Sequence, residues 1–521
     1  MFKKAGGIML PIDNDIRNMV LIQDGNVVIS ASAGTGKTHT TILRIKRDLE
    51  NNKGYKTFAA ITFTKKAAKE ISCRLGPQRS DGFVDTNDNF VLNEVIRPFL
   101  YDAFGAEYKI EIKPDYDPSS FIGNCKSGLL KIKETGYMCS FRDKHKNFAF
   151  KLALEVLKRS HSARRYIVAK YYRIYMDEYQ DSDVDMHNFF MYLTDVLHIP
   201  LFIVGDEKQS IYGWRGAYCE GFTSLYTKEG FKKFELRHNF RSNTGIQNYS
   251  NIFMPTVRHY YRTDIFNDEV ILYRYSDIVD ACTYIVDWIL PDEKCTVLNY
   301  KREVADEWSS ALKMKDLDFI YIPASPIEDT RLDSEHVWIA RGIASYCHKQ
   351  RYSEYDFRDE IPVPESIKIS TLRGLLEQIK KCLIDIISFK EACVSLYSYL
   401  GFSDVTEKIK MEIDETYKTV SNDQYASFYN QDSYLFTSGT IHSSKGLEFN
   451  QVIINAADYN FASSGAEFLH YVAVTRAEKR LLILAGNDYV FDRYKRYLQN
   501  AIEATFALGI NIKTEDVIKF D

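Results

Sequence analysis

The nine cysteines of this 521-residue chain (Cys73, Cys125, Cys139, Cys219, Cys282, Cys295, Cys347, Cys382 and Cys393) include no Cys-x-x-Cys pair. Their odd number and irregular spacing argue against a zinc site and a disulfide framework, and imply reduced thiols in a cytoplasmic protein. No apolar run approaches the ~20 residues of a membrane span, so no membrane partner is expected. Lys3 and Lys4 precede only a broken apolar stretch before Pro11, which makes a poor signal peptide. Charge of one sign is not in excess either: 67 Lys and Arg face 71 Asp and Glu, a net charge of −4. Any polyanion-binding surface must therefore be a local groove. Sequence repeats, low-complexity segments and coiled-coil heptads are absent. Tryptophan is scarce, at four residues, whereas 36 Tyr and 32 Phe raise the aromatic content to 14%. Most of those rings must fill cores and interfaces, leaving some free to stack on bases.

The content of 45% apolar and 26% charged residues is that of a globular protein, and the length is too great for one core. Buried-strand runs alternate with helical patterns, as βαβ units do. Strands are expected at Val27-Val28-Ile29, 58–63, 172–176 and 201–204, with a helix over 65–75. Residues 85–165 look helical and amphipathic, with loops at Lys113-Pro114-Asp115 and Asp117-Pro118. Strand patterns recur at 270–273, 295–298, 451–454 and 480–484, around a helical block near 330–430. The expected fold is α/β: two parallel-sheet domains, each with a mostly helical insertion.

Ala31-Ser32-Ala33-Gly34-Thr35-Gly36-Lys37-Thr38 follows the first strand. A glycine-rich turn ending in Lys-Thr curls backbone N–H groups around a polyphosphate. Lys37 reaches the outer phosphates, Thr38 offers its hydroxyl to Mg²⁺, and the next helix points its positive end at the anion. Ala31 stands where the strict pattern has Gly, and His39 follows the loop. A bare small-residue turn does not account for four residues in register, so the chain is read as binding a nucleoside triphosphate.

After the strand ending Ile174-Tyr175-Met176 comes Asp177-Glu178-Tyr179-Gln180-Asp181. Asp177 is placed to hold Mg²⁺ and Glu178 to orient the attacking water. An acidic pair alone more often caps a helix, but after a buried strand in a chain with a phosphate loop it signals hydrolysis.

With Val204-Gly205-Asp206-Glu207-Lys208-Gln209-Ser210-Ile211-Tyr212-Gly213-Trp214-Arg215-Gly216-Ala217, this segment resembles superfamily 1 helicases of the UvrD, PcrA and Rep type. Ala60-Ile61-Thr62-Phe63-Thr64-Lys65-Lys66-Ala67-Ala68 is similar to their first DNA-contact motif, and His238-Asn239-Phe240-Arg241-Ser242-Asn243 to the motif carrying an arginine finger. The 440–449 run Thr-Ile-His-Ser-Ser-Lys-Gly-Leu-Glu-Phe and Val474-Thr475-Arg476-Ala477 complete seven ordered motifs between 31 and 477. Segments 93–99, 182–188 and 247–251 resemble the helicase-like subunit of Gabija anti-phage defence systems, the GajB family.

The resemblance implies ATP and Mg²⁺ as cofactors and two RecA-like motor domains clasping the nucleotide. Residues 1–84 with 166–240 would form the first motor domain, and 241–325 with 435–521 the second. The insertions would be 85–165 and a reduced 326–434. Beside Lys37 and Glu178, Gln209 would sense the γ-phosphate, and Arg241 and Arg476 would stabilise transition-state charge. Phe240 would stack on the base and Glu448 accept from the ribose hydroxyl. Thr62, Phe63, Thr64, Tyr212, Trp214, Arg215 and His442 would contact DNA, with the rings stacking on bases of any sequence. These helicases carry an adenine-reading Gln about fifteen residues before the phosphate loop. Here Asp15 to Val20 contain none and Gln23 stands close to the strand, so loose purine selectivity is expected. The implied activity is a DNA-stimulated ATPase translocating 3′ to 5′ on single-stranded DNA and DNA ends, in a hetero-oligomer with the Gabija nuclease subunit GajA. A stand-alone repair helicase and an ATP-gated sensor of DNA ends that unwinds little are the alternatives.

Overall fold

The structure is a computed structural model that describes residues 10–79, 81–115, 117–263, 268–328, 334, 336–361 and 367–521. The reading of Lys3 and Lys4 lies outside the described residues. The first strands are β1 (Asn26–Ala31), β2 (Thr57–Thr62) and β3 (Phe83–Thr86). A short pair follows, β4 (Lys113–Asp115) and β5 (Tyr137–Cys139), and then β6 (Tyr171–Met176), β7 (Leu201–Gly205) and β8 (Phe231–Leu236). Six of these form an all-parallel sheet in the order β3-β2-β6-β7-β1-β8. The central strands are covered on both faces, which is why Val27-Val28-Ile29 and Leu201–Val204 read as unbroken apolar runs.

The second sheet contains β9 (Val270–Arg274), β10 (Cys295–Asn299), β11 (Ile320–Tyr321), β12 (Phe436–Thr440), β13 (Phe449–Asn455), β14 (Ala477–Ala485) and β15 (Lys519–Phe520). Its order is β11-β12-β10-β13-β14-β9-β15, again all parallel. The molecule thus has two RecA-like α/β layers, as the alternating pattern implied.

Several elements depart from the sequence reading. Lys113-Pro114-Asp115, expected as a loop, is β4, paired in parallel with Tyr137–Cys139. Proline is tolerated there because the strand has a partner on one side only. β3 and β8 escape the pattern because they are the sheet's edges; β8 exposes Lys232 and Lys233 while burying Phe234 and Leu236. Phe63 belongs to the turn beyond β2 rather than to the strand.

The two insertions differ physically. Helices Arg97–Phe104, Phe148–Arg159 and His161–Lys170 share one hydrophobic core with the first sheet, joining Val28, Ala59 and Ile61 to Phe90, Val95, Leu152 and Val156. The second insertion has its own core, from Ile327 through Phe357, Leu376 and Leu396 to Val420.

Candidate nucleotide and nucleic-acid site

Every motif of the first sheet lies at the C-terminal ends of its parallel strands, where backbone N–H groups and helix N-termini converge. β1 runs into the phosphate loop, β2 into Thr62–Thr64, β6 into Asp177-Glu178, β7 into Asp206–Gln209 and β8 into His238–Arg241. The loop needs its glycines: Gly34 and Gly36 have φ of +73° and +80°. A Cβ on Gly34 would lie 2.3 Å from Asn239 Oδ1, so the loop carrying Phe240 and Arg241 rests directly on this turn. The Phe240 N–H donates to Gly34 O at 2.9 Å. Helix Lys37–Asn51 starts at Gly36 and aims its N-terminus into the cleft.

The cleft has a volume of 720 Å³ and is lined from both sheets. It gathers Ser32 to His39, Asp177, Glu178, Gln209, Phe240, Arg241, Glu448 and Arg476, together with Thr62, Phe63, Thr64, Tyr212 and Arg215. Ala31 is a correction. It ends β1, is fully buried, and packs in the sheet with no face on the cleft. Its methyl occupies a strand position rather than the curled part of the loop.

Thr38 Oγ1 donates to Asp177 Oδ2 at 2.7 Å, and Lys37 Nζ stands 3.6 Å from Glu178 Oε1. A hydroxyl and a carboxylate in contact beside a lysine fit Mg²⁺, which takes few protein ligands and completes its shell with phosphate and water oxygens. Among the described residues no cluster of three His, Cys, Asp or Glu could hold a metal ion by itself. Glu178 sits in the left-handed region, φ +54°, uncommon for a residue with a Cβ and a form of strain concentrated at working sites. The Gln180 carboxamide donates to its Oε2 at 2.6 Å. Burial opposes its charge, but Lys37, Lys445 and Gln180 prevail and hold its carboxyl well below the usual range. Burial, with Glu178 adjacent, pushes Asp177 up. The pair therefore shares one charge-rich pocket with opposite protonation tendencies.

Arg476, just before β14, and Glu448, just before β13, stand side by side at the N-terminal end of two adjacent central strands of the second sheet. Arg476 is fully buried, donating to Val472 O at 2.9 Å and Leu447 O at 3.1 Å, with Gln209 Oε1 3.4 Å from Nη2. Burial and the neighbouring Arg241 lower its pKa to about 9. Gln209 in turn donates to Asp206 Oδ2 at 2.6 Å. Arg241 Nε donates to Glu448 Oε1 at 2.7 Å and Nη1 to Thr475 O at 3.0 Å. The two residues expected at the γ-phosphate and the ribose are thus paired with each other.

Phe240 is 59% exposed, so one ring face is available for a base. Arg17, which the sequence reading passed over, lies on helix Asn14–Ile22 with its guanidinium 5.0 Å from the Phe240 centroid. It donates to Asp13 at 2.7 Å and to Thr35 O at 3.0 Å. Asp13 also accepts the Arg237 and His238 N–H groups, tying this helix to the Phe240 loop. Gln23 donates to Asp24 O and does not line the cleft. His39 pairs with Arg74 at 3.0 Å.

Beyond the cleft lies a ring cluster. His442 sits 6.2 Å from Tyr212, 6.4 Å from Trp214 and 5.9 Å from Tyr300, centroid to centroid. The Arg215 guanidinium lies 4.6 Å over Trp214, which is 55% exposed. Tyr300, also missed in the sequence, is half exposed at the end of β10, where only its position marks it. Thr62 is buried and donates to Thr64 O at 3.0 Å, while Thr64 caps helix Lys65–Leu75. Thr62 thus spends its hydroxyl proton on the turn, while the Thr64 oxygen accepts the helix-capping bond. Phe63 is half-buried against the first core.

A family model described as an AAA domain matches residues 17–215, and one described as a UvrD-like helicase C-terminal domain matches 435–484. Gabija protein GajB of Bacillus cereus (strain VD045) is 36% identical over 509 residues, covering 96% of this chain and 99% of that protein. ATP-dependent DNA helicase PcrA of Staphylococcus epidermidis is 26% identical over 280 residues, covering 44% of this chain and 38% of PcrA. RecBCD enzyme subunit RecB of Buchnera aphidicola is 33% identical over 121 residues, 23% of this chain and 10% of RecB.

Proposed function

The chain belongs to the family of Gabija protein GajB, with UvrD-like helicase domains, and from that premise we propose that it is an ATP-dependent DNA motor acting in anti-phage defence. The observation that carries the reading is the cleft in which the phosphate loop and Asp177-Glu178 of the first sheet face Arg476 and Glu448 of the second, with Arg241 on the segment that leads from one to the other. The motor halves are residues 1–84 with 166–240, and 241–325 with 435–521.

Bound Mg²⁺ would be held by Thr38 and Asp177 and would neutralise phosphate charge. Water attacks the γ-phosphorus, the bond to the β-phosphate oxygen breaks, and Glu178 orients that water and draws its proton. Lys37, Arg241 and Arg476 stabilise the charge spread over the transferring group. The Arg241–Glu448 pair must open for both residues to engage nucleotide, so ATP exchanges a bond within the second half for bonds across the cleft. Gln209, bonded to Asp206 in one half and near Arg476 of the other, feels that closure.

The exposed Trp214 and its neighbours Tyr212 and His442 form the stacking platform for a single strand, which the motor follows 3′ to 5′. The strand or DNA end is handled with the Gabija nuclease subunit GajA. Among the described residues no helix is long and apolar enough to cross a membrane.

The test is ATP turnover with and without oligo(dT), together with unwinding of duplexes bearing a 3′ or a 5′ tail, with and without GajA. Stimulation by the oligonucleotide with unwinding restricted to the 3′ tail supports the proposal. Stimulation without unwinding in either condition leaves the end-sensor reading in its place. No stimulation refutes both.

A further inference from the structure

One charged side chain touches both the nucleotide pocket and the ring cluster. β12 and β13 are parallel strands with β10 between them, so the chain from Ile441 to Glu448 must return from the C-terminal end of one to the N-terminal end of the other. It starts at the ring His442 and finishes at Glu448 in the cleft. Midway, Lys445 crosses to the other motor half. Its Nζ donates to Asp181 Oδ2 at 2.6 Å and to the Gln209 backbone carbonyl at 3.1 Å, and lies 4.7 Å from the Tyr212 ring centroid.

Both ends of this ion pair are buried, with side chains 12% and 6% exposed. Asp181 ends the turn Tyr179–Asp181 that begins at Glu178, and its second oxygen has no hydrogen-bond partner. Lys445 is thus the cation that compensates it, and burial pushes the Asp181 carboxyl up while that cation pulls it down. Because the ammonium divides its contacts among Asp181, the Gln209 carbonyl and the Tyr212 ring, weakening one of them leaves the others to hold it, and it cannot leave Asp181 without stranding a buried charge.

We propose that Lys445 is a positioning residue that couples a base stacked on Tyr212 to Glu178 and Gln209 in the nucleotide cleft. A base on Tyr212 competes for the ring's electron-rich face, to which the ammonium is attracted. Lys445 then settles more firmly on Asp181 and on the Gln209 carbonyl, which fixes the turn bearing Glu178 and the segment bearing Gln209. The physical warrant is a single side chain with contacts in both sites rather than mere intermediacy between them.

The inference rests on the proposed DNA-stimulated ATPase, and the experiment separates the two. Turnover of Mg²⁺–ATP by the full chain is measured with and without oligo(dT) for wild type, Lys445→Met, Lys445→Arg, Tyr212→Ala and the double variant Tyr212→Ala/Lys445→Met. An unstimulated wild type would overturn the functional proposal itself. Given stimulation, Lys445→Met is expected to reduce the ratio of stimulated to basal rate at least tenfold at saturating oligo(dT). The basal rate falls as well, because Lys445 holds Asp181 on the turn that begins at Glu178, so the ratio is the readout. Lys445→Arg recovers at least a third of the ratio. On the Tyr212→Ala background, Lys445→Met changes the ratio less than twofold. A ratio within twofold of wild type for Lys445→Met, equal loss of basal and stimulated rates, or fully multiplicative effects in the double variant would each overturn the coupling role.

Discussion

Gly34→Ala probes how the two motor halves meet around the phosphate loop. Two costs follow from the geometry. At φ +73° an alanine pays the left-handed penalty, about 1–2 kcal/mol. The added Cβ would also lie 2.3 Å from Asn239 Oδ1 and 2.8 Å from Arg241 Cβ. Relieving the first contact to a normal separation moves Asn239 by about 1 Å, given that Cβ contacts under 3.0 Å essentially do not occur. Asn239 cannot move alone, since its Oδ1 accepts the Arg241 N–H at 2.7 Å and the Ser242 N–H at 3.0 Å. The shift therefore passes to Phe240 and Arg241. A 1 Å misplacement of groups acting on the reacting atoms costs about 100-fold, or about 2.7 kcal/mol in kcat/KM. Gly36→Ala is the control. It has the same backbone penalty at φ +80°, but its nearest neighbour would be His39 Cβ at 3.8 Å. Urea melts should show Gly36→Ala destabilised by about 1–2 kcal/mol and Gly34→Ala by more than that, while Gly34→Ala alone displaces the Phe240 loop, read as lost quenching of a fluorescent ATP analogue. Steady-state kcat/KM for ATP within threefold of wild type in Gly34→Ala would refute the reasoning.

Four further outcomes are expected. Glu178→Gln retains ATP binding and lowers kcat about 10²–10⁴-fold, the share of a positioned general base; near-normal turnover in a coupled-enzyme assay would remove Glu178 from that role. Trp214→Ala weakens oligo(dT) binding by about 1–3 kcal/mol, as loss of one stacked base should, measured by fluorescence anisotropy; an unchanged Kd would exclude Trp214 from the strand. GTP is expected to be hydrolysed with kcat/KM within about tenfold of ATP, a gap of about 1.4 kcal/mol, because a ring such as Phe240 would stack on either purine and, among the described residues, no glutamine besides Gln209 lines the cleft; a thousandfold preference for ATP in parallel assays would contradict this. Lys208→Met strands the fully buried Asp206, whose ion pair with Lys208 measures 2.6 Å, and should cost about 3–5 kcal/mol in urea melts; a loss under 1 kcal/mol would show that water reaches Asp206.

The amino-acid sequence by itself determined the alternation of buried strands and helices, because strands covered on both faces must be apolar throughout. Val27–Ile29, Ile174–Met176 and Leu201–Val204 announce themselves in that way. It also determined the phosphate loop and the acidic pair, since turns, cations and carboxylates of one motif are local in the chain. Edge strands such as β8 stayed hidden because a strand paired on one side keeps polar residues like Lys232 and Lys233. Tertiary structure alone decided what depends on distant segments meeting. Arg17 reaches Phe240 across 223 positions, and Lys445 reaches Asp181 across 264. Neither contact has a sequence period: the first is set by helix Asn14–Ile22 packing beside β8 within one domain, the second by how the two sheets close on one another. Tertiary packing also decided the exposure of Trp214 on the turn Gly213–Arg215 and the burial of Ala31 inside the first sheet, two residues whose motifs look equally functional on paper.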